Sequence, residues 1–227
     1  MILLMSPTQP SPIISSKNQA DCSHQLTLDP HSSSWAVFLE SGVLAPQQDN
    51  SNHHIKRLKH KLAELAAIID FHKEKYVQDI FGESYSQIYK ELADLAYPPL
   101  IPEEQGISKD SSDPLSESSL LEAYSIHQRL ALSIEVIKFD QVHHHHSTDK
   151  MWRKCTGMVD NILRNIYTEL VMKGISIPKP LTRNLIPDTM RCLPFSAYRD
   201  TRDFIVLRHL LQATLGYSQR LEKIEDI

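Results

Sequence analysis

Apolar residues recur at steps of three and four along four long stretches of the chain, roughly residues 53–81, 114–142, 149–173 and 198–224. That period predicts four amphipathic helices. In the first, Ile55, Leu58, Leu62, Leu65, Ile69, Tyr76 and Ile80 line one face. The opposite face carries Lys56, Arg57, Lys59, Lys61, Glu64, Lys73 and Lys75. Ser51-Asn52 offers an N-terminal cap, and Gly82 a left-handed stop. The second stretch opens at Asp113-Pro114, a capping residue followed by a first-turn proline, or later at a Ser119–Glu122 capping box. Its stripe is Leu120, Tyr124, Leu130, Ala131, Ile134 and Ile137. The third carries Cys155, Val159, Ile162, Ile166 and Leu170 and ends at Lys173-Gly174. The fourth places Phe204, Leu207, Leu211, Thr214, Ser218 and Leu221 on one face, widened by Val206, Leu210 and Leu215.

The gaps between these stretches run long, short, long. The outer two hold roughly 25–32 residues and the middle one about 6. A helix of about 26 residues is ~39 Å long, and extended chain covers at most ~3.5 Å per residue. The middle gap therefore cannot return to the far end of its neighbour, so the second and third helices run antiparallel. Each outer gap can travel a helix length and start the next helix in the same direction. The predicted fold class is all-α, an up-up-down-down long-chain four-helix bundle with two long crossovers and one short loop. Tyr85, Ile88, Tyr89, Leu92 and Leu95 predict a short helix on the bundle before Pro98-Pro99, Pro102 and Ser111-Ser112 interrupt it. Pro178, Pro180, Pro187 and Pro194 are expected to keep the last crossover extended and non-helical. Residues 1–50, rich in Ser, Pro, Gln, Asn and His, are expected to be disordered apart from a short element around 35–44. Residues 51–227 form the predicted folded domain.

A chain of 227 residues, 41% of them hydrophobic, is long enough to bury a core without disulfide staples. A net charge of -4 gives no global basic field for nucleic acid or an anionic membrane. The 12 histidines make that charge sensitive to mild acid. Only 6 glycines and few alternating apolar runs argue against an all-β or dinucleotide-binding fold. Cys22, Cys155 and Cys192 are odd in number and show no framework spacing. A Cys155–Cys192 bridge would tie the third helix to the last crossover, and buried or free thiols are the plainer reading. No stretch reaches the ~18 apolar residues of a membrane span. The apolar start at residues 1–5 is cut off by Ser6-Pro7-Thr8-Gln9-Pro10, and residues 35–39 by Glu40, so no orthodox secretory leader is visible.

No Gly-x-Ser-x-Gly elbow, Gly-rich phosphate loop or His-Glu-x-x-His motif occurs. The inner stripes lack the Glu plus Glu-x-x-His set of a ferritin-like site. The expectation is a chain that is not an enzyme, with no cofactor. Adjacent loop histidines rarely close a tetrahedral site, so His143 to His146 read as surface charge and no metal is expected. His53-His54, His60 and His72 read as surface or boundary residues. No Asn-x-Ser/Thr glycosylation sequon is present.

Several short runs resemble one family. Glu122-Ala123-Tyr124-Ser125 before a leucine-rich stretch resembles the second helix of the cardiotrophin-like and ciliary neurotrophic factor cytokines. Lys154-Cys155-Thr156, and Val171-Met172-Lys173-Gly174-Ile175-Ser176-Ile177-Pro178-Lys179-Pro180-Leu181, resemble the third helix and its Pro-x-Pro-Leu exit in cardiotrophin-like cytokine factor. Asp203-Phe204-Ile205-Val206-Leu207-Arg208-His209-Leu210 is similar to that family's Asp-Phe-x-Leu-Leu-Lys-x-Leu. Tyr76-Val77 with Gly82 is similar to the end of its first helix. These matches keep the family's order and span about 53–224; residues 1–50 match nothing in it.

The resemblance implies a secreted, monomeric helical cytokine of the leukaemia inhibitory factor branch. Such a protein brings class I cytokine receptor chains together and triggers JAK/STAT-type signalling. The implied partners are a shared signalling chain and a leukaemia inhibitory factor receptor-like chain, with an alpha receptor in some members. Leaderless export occurs in the branch. The family marks one receptor surface with Phe-x-x-Lys near the start of the fourth helix. Here Phe195-Ser196-Ala197-Tyr198 puts Tyr in the Lys position, with Arg199 next and Arg202 one turn on. Phe204-Ile205-Val206-Leu207 departs in the same way and fits the core better. The candidate receptor-binding set is therefore Phe195, Tyr198, Arg199 and Arg202, with Arg57, Lys61, Arg153, Asp160 and Arg164 on the first- and third-helix faces. For each of these charges the competing reading is an ordinary solvated helix face, and for Phe195 a plug at the bundle end. The alternative for the whole chain is an intracellular helical adaptor or scaffold without cytokine activity.

Overall fold

The computed structural model describes residues 51–95, 113–144, 149–191, 193 and 195–224. The expected disordered segment 1–50 lies outside them, as do Cys22, Cys192 and the side chains of Ser51, Asn52 and His143 to His146. The described chain is all-helical, with six α-helices, one 3-10 turn and no strand among the described residues. The helices are α1 (Ser51–Phe81), α2 (Tyr85–Glu91), α3 (Glu117–His144), α4 (Asp149–Met172), α5 (Asp188–Arg191) and α6 (Ser196–Glu222).

Local chemistry sets most of these boundaries. Gly82 and Gly174 take φ of 73° and 67°, where a side chain would be strained. At the end of α4 the Gly174 amide donates to Val171 O and the Ile175 amide to Leu170 O, closing the last carbonyls of the helix. Ser84 caps α2 through its side chain, which accepts from the Gln87 amide. The start of α3 differs from expectation. Asp113 Oδ1 accepts from the Leu115 amide and holds a separate turn. The cap falls to Ser116, whose hydroxyl accepts from the Ser119 amide. The connection before α6 also differs, because Pro187 begins a helix instead of preventing one. Its carbonyl accepts from the Met190 and Arg191 amides, and proline's missing N–H costs nothing ahead of a first turn.

Each of the four long helices packs on two others: α1 and α3 both pack against α4 and α6. Tyr76 near the end of α1 meets Trp152 at the start of α4, ring centroids 6.2 Å apart. Phe81 at the end of α1 meets Phe204 near the start of α6, at 6.0 Å. Tyr124 near the start of α3 lies 6.4 Å from Tyr167 near the end of α4. Every apolar residue expected on the α4 stripe is buried, joined by Trp152. On α6, Leu215 is exposed, contrary to expectation, and Leu211 half-buried; Tyr217 fills the core at that level.

The long connections are packed as well. Arg208, buried on α6, donates to Leu92 O at 2.7 Å and Leu95 O at 3.0 Å, closing the end of α2. On the other side, the Leu181 amide donates to Gln128 Oε1, and Arg183 pairs with Glu135. The segment from 175 to 186 thereby covers α3.

Leu207 is fully buried between helices, so Leu207→Ala is expected to cost ~2–5 kcal/mol in a urea titration. His127 is also fully buried, with Nδ1 2.7 Å from Ala123 O. Burial pushes its imidazole down to about 4, against a smaller opposing effect of that hydrogen bond. A depressed folded value makes its contribution present above about 6.5 and lost as pH falls through about 4. The wild type should therefore lose on the order of 3 kcal/mol through this group between those limits. His127→Asn should flatten that slope in urea midpoints measured across the same range.

Candidate interaction surface

The chain enters α6 through Phe195, whose extended backbone (φ −103°, ψ 137°) precedes the first turn. Its carbonyl accepts from the Tyr198 and Arg199 amides, each at 3.2 Å. Its ring stays 57% exposed and packs edge-on against Tyr198 at 5.7 Å. Arg199 is half-buried and donates to Leu193 O at 2.7 Å, tying Leu193 to the first turn of α6. Phe195, Tyr198 and Arg199 thus form one cluster at the corner where the last crossover meets α6. Phe204 is core, in contact with Phe81 and Tyr85.

Arg202 does not join them. It is only 2% exposed, and its guanidinium lies 2.7 Å from both Asp140 on α3 and Asp203. It also reaches Met190 O at 3.4 Å. A receptor cannot read a cation that is buried and already balanced, so Arg202 leaves the candidate set. It is a positioning residue that fastens the start of α6 to α3 and α5. Two carboxylates share this one guanidinium. Burial raises Asp203 to about 7, although Arg202 works in the other direction. Tyr76, buried nearby, is raised by burial and then by Asp203 and Asp200.

The five flank residues are not brought into one patch. Arg57, Arg153 and Arg164 are exposed. Lys61 is half-buried and its ammonium lies 2.8 Å from Glu64. Asp160 is also half-buried, and burial raises its carboxyl against the pull of Arg164 and Lys138. Arg57 lies near the start of α1 and Arg153 near the start of α4, and those starts sit at opposite ends of the helices.

Sequence reasoning passed over Phe71, which is 81% exposed on the solvent side of α1, edge-on to His72 at 4.9 Å. Its phase was legible, because position 71 falls between the stripe positions Ile69 and Tyr76. Cys155 is a free, fully buried thiol raised to about 12 by burial, which removes it from nucleophilic chemistry at neutral pH. No protein-family model, curated protein or solved structure matches the chain.

The contrast between Arg202 and Phe195 is measurable. Arg202→Ala leaves two buried carboxylates without their cation and should cost ~3–5 kcal/mol. Phe195→Ala should change the denaturation midpoint by less than about 1 kcal/mol equivalent, because its ring is mostly in water.

Proposed function

We propose that this chain is a secreted helical cytokine that holds class I cytokine receptor chains together on a cell surface. The observation that carries the reading is which helix ends meet. The pairs Tyr76–Trp152, Phe81–Phe204, Tyr124–Tyr167 and Arg202–Asp140 each join the end of one long helix to the start of another. They support an up-up-down-down bundle in which α1 and α3 run one way and α4 and α6 the other. In such a bundle the parallel helices lie on diagonals, which accords with the packing of α1 and α3 on α4 and α6. Two long crossovers follow from that arrangement.

A bundle of this kind acts by geometry. Its surfaces engage separate receptor chains, and the membrane concentrates the second partner once the first is bound. The Phe195 cluster suits one such surface. An exposed aromatic ring on a backbone held by neighbouring hydrogen bonds fills a pocket with little entropy to lose, and Arg199 beside it supplies orientation. Tyr198 replaces the family's lysine, so the second receptor chain would be met by a phenol and a displaced guanidinium in place of an ammonium.

The test is a reporter response in cells bearing the shared signalling chain with the leukaemia inhibitory factor receptor-like chain, with and without an alpha receptor. Purified protein should activate the reporter. Phe195→Ala with Arg199→Ala should lower potency at least about tenfold, the size of a hot-spot loss, while helicity is unchanged. Silence of the wild type at saturating dose, with no receptor binding, would overturn the reading and leave the adaptor alternative.

A further inference from the structure

The start of α1 is charged against its own helix. Between 53 and 61, four of nine residues are Lys or Arg and three are His, and no Asp or Glu occurs from 51 to 63. The first turn of α1 has no acidic residue and its last turn no basic one. Helix dipoles favour the reverse, and cations spaced three and four apart repel. This placement therefore weakens the helix that carries it, which points to a use outside the fold. It also opposes the net charge of -4 of the whole chain.

His53, Lys56, Arg57 and His60 are exposed, opposite the buried Ile55, Leu58 and Leu62. Among the described residues no carboxylate pairs with Lys56 or Arg57. Glu64 is engaged by Lys61 at 2.8 Å and lies 3.8 Å from His60. Lys59 turns toward α6, 3.4 Å from Ile224 O. At the same end of the molecule Lys173 and Lys223 are exposed, with the exposed carboxylates of Glu222 and, at the start of α3, Asp113 and Glu117; Lys173 also lies 3.9 Å from Glu169.

We propose that this face of α1 binds a linear sulfated polysaccharide laid along the helix. A membrane surface would need apolar side chains free to insert, and those of this segment are in the core. A protein interface core favours aromatic anchors and excludes Lys. Single-stranded nucleic acid takes stacking rings. The positions 53, 56, 57 and 60 offer two cations and two imidazoles with no large apolar side chain among them, a set that suits a polymer of repeated sulfates. The proposal goes beyond the receptor reading and does not depend on it.

The experiment uses the full chain at neutral pH on immobilised heparin, with direct titrations in rising salt. The wild type should be retained despite its negative net charge. Lys56→Gln with Arg57→Gln should weaken binding about tenfold and flatten the salt dependence by about two charges. Lys150→Gln with Lys154→Gln removes the same charge from exposed positions at the start of α4 and should change binding less than about twofold. Desulfated heparin, duplex DNA, polyglutamate and phosphatidylserine vesicles complete the series and should all bind more weakly. No retention, equal losses from the two double variants, or equal or tighter binding to any of those four would overturn the proposal.

Discussion

The described parts of both long connections lie over a helix. The stretch of α6 from 202 to 208 has no solvent face, since every residue in it is buried. Such a stretch holds Arg202, Asp203 and Arg208 among its apolar residues, and each needs a partner or its burial is prohibitive. Arg208 finds the carbonyls that end α2, so the first connection is closed by a side chain of the fourth long helix. On α3, Gln128 and Glu135 receive the Leu181 amide and Arg183 from the last connection. These contacts satisfy polar groups on both sides at once.

That arrangement divides the charged residues into two populations. Arg202, Arg208 and Asp140 hold elements together and are out of reach of a partner. Arg57, Arg153 and Arg164 stand in water and cost the fold little. The Phe195 cluster sits where the two populations meet. Buried Arg202 fixes the first turns of α6 against α3, and the ring two turns earlier is left to solvent. The basic start of α1 lies by the far end of α6, as the Lys59 contact to Ile224 O indicates. The two proposed surfaces are thus a helix length apart, and occupation of one leaves the other open.

The stripes on α1 and α4 were legible because each of those helices keeps a clear wet face, and the period of three and four survives. Gly82 and Gly174 were legible as stops because the left-handed conformation selects glycine. The reading failed where a connection lies over a helix. Arg202 looked like a surface cation two turns beyond Phe195, and α5 and the end of α3 lie against it. Leu215 looked like core and is exposed, while Tyr217, left out of the expected stripe, is fully buried. Asp113-Pro114 and Ser116 both carry capping chemistry, and the choice between them depended on where Leu115 and Leu120 could reach the core.

By itself the sequence determined the number and approximate bounds of the long helices and the short α2 between the first two, because periodicity, capping and glycine conformation are local properties. Tertiary structure alone decided which polar residues of α3 and α6 lie inside. The reason is physical: burial of a charged side chain is set by what lies over it, and what lies over α3 and α6 comes from segments tens of residues away in the chain.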